Sequence, residues 1–297
     1  AVKKMRGPEN TKVTLTILRK DMKEPKDYEI IRAVIKIKSV KHNVYDDSIG
    51  YIRISAFQES TVDELKKAMQ QINGKSKDLK GIVIDVRNNP GGLLDQAVKA
   101  SDAFLKSGTI VSTKGRAKAI ESKFVARDDG SEPTCPMVVL VNEGTASASE
   151  ILSGALQDNG RAIVLGMPTF GKGSVQTVIP LEDGSALKLT TAKYYTPKGR
   201  SIQAEGIKPD IVVEPMRQAD GPESAEAQML REKDLKGHIR GDREDEQKPA
   251  KGKDKAPGTE KDKDKGKEKT DLQRDNQLKS AVDILKSWEV FKRIGKN

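Results

Sequence analysis

The sequence predicts a mixed α/β (α+β) body in which a β-sheet core is flanked by helices. Three observations carry that expectation. Gly81–Val86 and Met137–Val141 are unbroken apolar runs of the kind buried on both faces of a parallel sheet. Each leads through a Gly- or Asn-containing turn into a segment with apolar residues at helical spacing. From Ser174 to Tyr195 the pattern becomes strand-like.

In chain order, residues 1–20 read as the end of a helix (Ala1 to Arg6), a Gly7-Pro8 break and a strand, Lys12–Leu18, alternating Val13, Leu15 and Ile17 with Thr14 and Thr16. A charged turn leads into a second strand, Ile30–Ile37. Tyr51–Phe57 is expected as a strand. Thr61–Ile72 is expected as a helix, with Thr61 and Glu64 as its capping box, Leu65, Met69 and Ile72 on one face, and Gly74 at its end. After the 81–86 strand, Asn88-Asn89-Pro90-Gly91-Gly92 opens a helix carrying Leu94, Val98, Ser101 and Leu105. The 137–141 strand is followed by Gly144 and a helix to about Gln157. Ala162–Leu165 and Asp210–Glu214 are the remaining strands.

Of the 297 residues, 35% are hydrophobic and 33% charged, so part of the chain is expected outside any core. That part begins near Pro215, and 241–270 is a low-complexity run expected to be disordered. An amphipathic helix over Leu278–Phe291, bearing Leu278, Val282, Leu285 and Trp288, closes the chain. Marginal alone in water, it is expected to dock on the body or on a partner. The domain reading is therefore 1–20, a body over 21–214, a charged linker over 215–277, and the terminal helix at 278–297. The net charge of +10 comes from Lys spread through mixed-sign runs such as Lys261-Asp262-Lys263-Asp264-Lys265, and aromatics are sparse, which argues against nucleic acid as a partner. A single cysteine, Cys135, excludes an intrachain disulfide. No run approaches the roughly 20 apolar residues of a membrane span.

The chemistry is narrowed by what is scarce. The only histidines are His42, in a Lys/Asn turn, and His238, in the polar tail, which disfavours a Ser–His–Asp triad. No His/Cys/carboxylate cluster has metal-ligand spacing, so no metal or other cofactor is expected. Asn142-Glu143-Gly144-Thr145-Ala146-Ser147-Ala148-Ser149-Glu150 joins a buried strand to a helix. There Ser147 suits an acyl-transfer nucleophile, with the Ala148 N–H as oxyanion donor. The ordinary alternative is N-capping by Thr145, Ser147 or Ser149. Gly166-Met167-Pro168-Thr169-Phe170-Gly171-Lys172-Gly173-Ser174 nearly matches a phosphate-binding P-loop. Gly173, however, stands where Ser or Thr should follow the lysine, and the next residues read as a strand. A lysine acts as a base when its ordinary pKa of about 10.4 is lowered to about 8, which takes roughly 3 kcal/mol of burial away from carboxylates. Lys172 has only uncharged sequence neighbours, and on a strand it would share a face with Ser174 and Gln176. A surface lysine in a Gly-rich turn is the alternative. The turn after Asp85-Val86-Arg87 exposes backbone N–H groups, offering Gly91 or Gly92 as a second oxyanion donor, or simply closing a tight strand–helix connection.

Taken together, Asp85–Gly92, Gly144–Glu150 and Thr169–Gly173, with the separation of Ser147 from Lys172, resemble the C-terminal processing (tail-specific) peptidases, a Ser–Lys serine peptidase family. The similarity runs from about Ala1 to Glu214 and includes Gly206-Ile207-Lys208-Pro209-Asp210. The resemblance implies a ClpP/crotonase-like body with Ser147 as nucleophile, Lys172 as general base and Gln176 positioning the lysine. Ala148 and Gly91 would bind the oxyanion. It implies cleavage near the C-termini of protein or peptide substrates with free tails, without a metal and outside the cytoplasm. A homo-oligomer or an adaptor protein fits the same family. Residues 1–20 resemble the last helical turn and strand of a PDZ domain. The expectation is therefore a chain truncated within that domain, its signal sequence and carboxylate-binding part missing. A non-catalytic peptide-binding protein on the same fold is the competing expectation.

Overall fold

The computed structural model describes residues 2–20, 22–34, 38–46, 48–76, 78–115, 121–216, 231–235, 237–239, 241–242, 272 and 274–294. The chain divides into two compact units, Ala1–Lys38 and Ser39–Asn297.

In the first unit a short helix, α1 (Val2–Met5), precedes an antiparallel pair, β1 (Lys12–Ile17) and β2 (Lys26–Ile31). Val13, Leu15 and Ile17 form the half-buried side of β1, as the alternation predicts. Arg32 stitches the unit together, donating to Met5 O at 2.8 Å, Thr11 Oγ1 at 2.8 Å and Lys12 O at 2.9 Å. The second strand was expected over Ile30–Ile37, but pairing with β1 runs from Lys26 opposite Ile17 to Ile31 opposite Lys12. Residues 35–37 of that expectation lie outside the described residues. Because β2 pairs with β1, the first compact unit takes in both strands and extends to Lys38.

The second unit contains β3 (Val40–Tyr45), β4 (Ile49–Ile54), α2 (Thr61–Lys75), β5 (Gly81–Asp85), α3 (Leu94–Asp102), β6 (Thr109–Gly115) and β7 (Glu121–Val125). It continues with β8 (Met137–Val141), α4 (Ala148–Asp158), β9 (Ile163–Gly166), β10 (Ser174–Pro180), β11 (Ala186–Tyr195), β12 (Ile211–Val212) and α5 (Asn276–Ile294). One sheet has the order β12-β9-β8-β5-β4-β3, parallel except for β3 against β4. The other, β10-β11-β6-β7, is antiparallel.

The apolar runs become the central strands because successive side chains point to opposite faces, and both faces are covered. Ile82, Ile84, Val139 and Val141 enter a core with Leu65 and Ile72 of α2, Ala97 and Ala100 of α3, and Ile151, Leu152 and Ala155 of α4. Their neighbours Val83, Val138 and Leu140 enter a second core with Leu278, Ala281, Val282 and Leu285 of α5. The terminal helix therefore docks on the body, its 3- and 4-residue spacing matching the sheet face it covers.

The expected Thr61–Glu64 capping box does not form. Ser60 precedes the helix, and Thr61 is buried in its first turn, where its hydroxyl accepts from Gln58 N–H at 2.8 Å. Glu64 instead accepts from the N–H groups of Ser39 and Val40 at 2.8 and 3.0 Å and from Ser60 Oγ at 2.9 Å, tying α2 to the start of β3. The free donors at the start of an edge strand out-compete the local cap. β3, β6 and β7 carry polar residues at mixed positions and gave no clean sequence period. The low-complexity run 241–270 lies outside the described residues apart from Gly241 and Asp242. Among the described residues no helix is long and apolar enough to cross a membrane.

Leu285 is 1% exposed, and its side chain would lie within 3.0 Å of any Cβ added at Gly81. Leu285→Ala is therefore expected to lower stability by about 3 kcal/mol through lost burial and a cavity. Urea unfolding should register this as a lower midpoint, and an unchanged midpoint would mean the helix is not docked.

Candidate active site

Because β5, β8 and β9 are parallel neighbours, the chain leaves all three at the same end of the sheet. The turns that follow them are the three segments singled out in the sequence. Ligand and catalytic groups in such sheets gather at this carboxyl end.

The turn after β8 ends at Ser147, whose backbone has φ 56° and ψ −115°. An ordinary N-cap sits in the β region, whereas this left-handed conformation is the kind of strain that persists where surrounding structure enforces a functional geometry. Ser147 is nevertheless the N-cap of α4 and forms a capping box with Glu150, so the capping alternative holds for it, whereas for its neighbours it fails. Thr145 donates to Val86 O at 2.9 Å and Ser149 to Asn89 O at 2.9 Å, so both hydroxyls bind the preceding turn. Ala148 begins α4, and its N–H makes no hydrogen bond with a described residue.

The turn after β5 is fastened to the first by paired asparagines. Asn88 N–H donates to Asn142 Oδ1 and Asn142 Nδ2 donates to Asn88 Oδ1, both at 2.8 Å. Asn89 O also accepts from Ala146 N–H at 2.9 Å, while Asn89 Nδ2 holds Ile54 O at 2.8 Å. Gly91, at φ +100°, lies so close to the nucleophile turn that a Cβ there would stand 2.8 Å from Ser147 Cβ and 2.9 Å from Ala148 N. Only glycine fits. The expectation that Gly91 donates to an oxyanion meets one obstacle: its N–H is already given to Asn89 Oδ1 at 2.9 Å.

Lys172 lies in the third turn between Gly171, at φ +97°, and Gly173, where a Cβ would meet Gln203 N at 2.3 Å. β10 follows where a P-loop would start a helix, so the helix N-terminus needed for phosphate is not there. The strand begins at Ser174, and its register against β11 shifts between Val175 and Gln176. Lys172 precedes the strand, so the strand alternation that would have placed it and Gln176 on one face does not extend to it. Lys172 is half-buried and Gln176 exposed, and neither side chain makes a hydrogen bond or ion pair with a described residue. Among the described residues no group of His, Cys, Asp and Glu is arranged to hold a metal ion.

What joins the first and third turns is Glu150, wholly buried in the first turn of α4. Its Oε2 accepts from the N–H of Ser147 at 2.8 Å and from the N–H of Lys172 at 2.9 Å. Its Oε1 accepts from Thr169 Oγ1 at 2.5 Å and Gly171 N–H at 2.8 Å. The backbones of Ser147 and Lys172 therefore share one oxygen atom, no farther apart than two hydrogen-bond lengths. Burial raises the Glu150 carboxyl to about 7 against the pull of the four donors. Sequence reasoning gave Glu150 no role, although Ser147-x-x-Glu150 has the capping-box spacing that could have flagged it.

Residues 48–213 match the profile of Peptidase family S41. The chain belongs to this family. It is 50% identical over 249 residues to the carboxy-terminal-processing protease of Bartonella bacilliformis, covering 82% of this chain and 56% of that one. Against the carboxyl-terminal-processing protease of Synechocystis sp. it is 44% identical over 218 residues, covering 72% and 50% respectively. A solved structure, the photosystem II D1 C-terminal processing protease, superposes with a TM-score of 0.55 at 30% identity, covering 70% of this chain and 57% of that one. The chain spans about half the length of the curated relatives it matches.

In this S41 chain the Glu150 linkage has a testable sign. Its carboxyl sits near 7 when folded against about 4.5 unfolded, so between those values the folded state binds the extra proton. The stabilising contribution is complete below about 4.5 and is lost as pH rises through about 7. Urea midpoints are expected to show this component in the wild type and not in Glu150→Gln, and an identical pH slope in both would remove Glu150 as its source.

Proposed function

We propose that this chain is the catalytic part of a serine endopeptidase that cleaves protein or peptide substrates near their C-termini, with Ser147 as nucleophile and Lys172 as general base. The observation that carries the reading is the shared Glu150 oxygen, which holds the strained Ser147 backbone and the Lys172 backbone to one point. Supporting it is the similarity to relatives named as processing proteases.

In this mechanism Ser147 Oγ attacks the scissile carbonyl carbon and its proton passes to the Lys172 amine. The carbonyl oxygen becomes an oxyanion at the N-terminus of α4, where the uncommitted Ala148 N–H and the helix dipole favour negative charge. The Gly91–Gly92 turn supplies a second donor, the Gly91 N–H reaching the oxyanion when it swings off Asn89 Oδ1. The lysine then gives its proton to the leaving amine as the C–N bond breaks. Water repeats the sequence on the acyl-enzyme, freeing the carboxylate and restoring both residues. Gln176 orients the lysine in the closed, substrate-bound arrangement. Residues 1–20 belong with the end of a PDZ domain, and the working compartment is extracytoplasmic.

Ser147→Ala and Lys172→Ala are each expected to lower kcat by at least about 10⁴-fold, the scale on which catalytic groups acting as a unit fail. Mass spectrometry of a tailed test protein incubated with each variant measures this directly. Gly91→Ala should be as inactive, since its Cβ occupies the space beside Ser147 and Ala148. A fluorophosphonate that labels Ser147→Ala as well as the wild type would sink the choice of nucleophile. Undiminished turnover by Lys172→Ala would sink the choice of base, and tail binding without any cut would favour the peptide-binding alternative.

A further inference from the structure

The guanidinium of Arg87, at the end of β5, has all five of its N–H donors engaged. Nε gives to Asp85 Oδ1 at 3.0 Å, and Nη2 to Asp85 Oδ2 at 2.7 Å and Asp275 Oδ2 at 2.6 Å. Nη1 gives to Asp275 Oδ1 and to Gln277 Oε1, each at 2.9 Å. Asp85 is completely buried and also accepts from Tyr51 Oη at 2.8 Å. Burial alone would raise its carboxyl, but the hydrogen bonds and charge of Arg87 bring it below its ordinary value. The second carboxylate comes from the far end of the chain. Asp275 precedes α5, also caps it by accepting from Leu278 N–H at 3.0 Å, and lies beside Gln277, whose Nε2 gives to Val213 O at 2.7 Å.

The residues that follow Arg87 are the turn fastened to Ser147: Asn88 pairs with Asn142, Asn89 holds Ala146 and Ser149, and Gly91 abuts Ser147. We infer that Asp275 and Gln277 are positioning residues for the peptidase reaction. Through Arg87 they fix the Asn88–Gly92 turn against the nucleophile, so the C-terminal helix completes the active site. This rests on the function proposed above.

The division of labour follows from the kinds of contact. Leu278, Ala281, Val282 and Leu285 already hold α5 on the sheet. Fully burying a side chain such as Leu or Val contributes about 1.5–3 kcal/mol. An ion pair with little exposure gains little net stability after desolvation, but a carboxylate gripping both arms of a guanidinium allows one geometry. The clamp therefore adds placement more than strength, and what it places is the oxyanion side of the site.

Asp275→Asn tests this, because asparagine caps a helix as well as aspartate does while losing the charge and one acceptor oxygen. Lys286→Gln is the control. It breaks an ion pair of α5, to Asp46 at 2.5 Å, without touching Arg87. In the full chain, Asp275→Asn is expected to lower kcat about tenfold with KM within about twofold, less than the 10²–10³-fold cost of deleting an oxyanion donor outright. Amide exchange over Asn88–Gly92 should quicken about tenfold, reporting a lower free energy of local opening. Lys286→Gln should leave both readouts unchanged. Unaltered exchange at Asn88–Gly92 in Asp275→Asn overturns the inference whether or not the chain cleaves anything. So does an unaltered kcat, a change confined to KM, or an equal loss in Lys286→Gln. Faster exchange in a protein whose wild type neither cuts a tailed substrate nor is labelled at Ser147 counts instead against the proposed peptidase function.

Discussion

The arrangement at the carboxyl end of the sheet depends on one buried carboxylate. Glu150 has no cationic partner among the groups that set its titration, and its two oxygens are shared by four donors. An ion pair would have neutralised the charge more cheaply, but a lysine or arginine brought to it would occupy the space between the two turns. Backbone N–H donors stabilise the charge and also fix the path of the chain. With Ser147 and Lys172 on the same oxygen, the strained φ of one turn and the glycine-flanked course of the other become a single constraint. Such strain survives only where several interactions impose it.

The sheet makes this economy possible. Parallel strands deliver their following turns to a common edge, so segments distant in sequence meet without long loops. The asparagine pair Asn88–Asn142 then sets the spacing of the first two turns, and Glu150 that of the first and third. The Glu150 link uses a side chain to satisfy backbone N–H groups that the turns would otherwise leave at least partly buried and unpaired, which would cost about 1–3 kcal/mol apiece. Positioning the site and satisfying its polar groups are one solution.

This explains what could and could not be read from the sequence. β5 and β8 were legible because burial on both faces leaves an unbroken apolar run, and α5 because its apolar stripe keeps helical spacing. Ser147, Lys172 and the Gly91–Gly92 turn stood out as residue types in ordered segments. The bulge at Val175/Gln176 was invisible, since it is set by register with β11 rather than by local composition. β6 and β7, in the smaller sheet, mix exposed and buried positions too irregularly to show a period. Glu64 was read as a local cap because local pairing is all that spacing reveals, yet its partners Ser39 and Val40 come from another element. Glu150 went unassigned for the same reason: three of its four donors lie in the turn after β9.

The tail shows most clearly where composition misleads. Its charged, low-complexity run suggests a solubilising appendage. The segments on either side behave differently. Before that run, Arg231 donates to Thr169 O at 3.2 Å and Glu205 O at 2.8 Å, Glu232 N–H to Phe170 O at 3.1 Å, and Gln203 Nε2 to Ile239 O at 2.7 Å. These contacts lie against the turn that bears Lys172, whose Gly173 N–H is in turn held by Gln203 Oε1 at 3.0 Å. After the run, the first turn of α5 grips Arg87 beside the turn that bears Gly91. Each flank thus supports a different one of the three turns at the carboxyl end of the sheet. The apolar spacing of α5 and the acceptors Asp275 and Gln277 specify where the second flank lands.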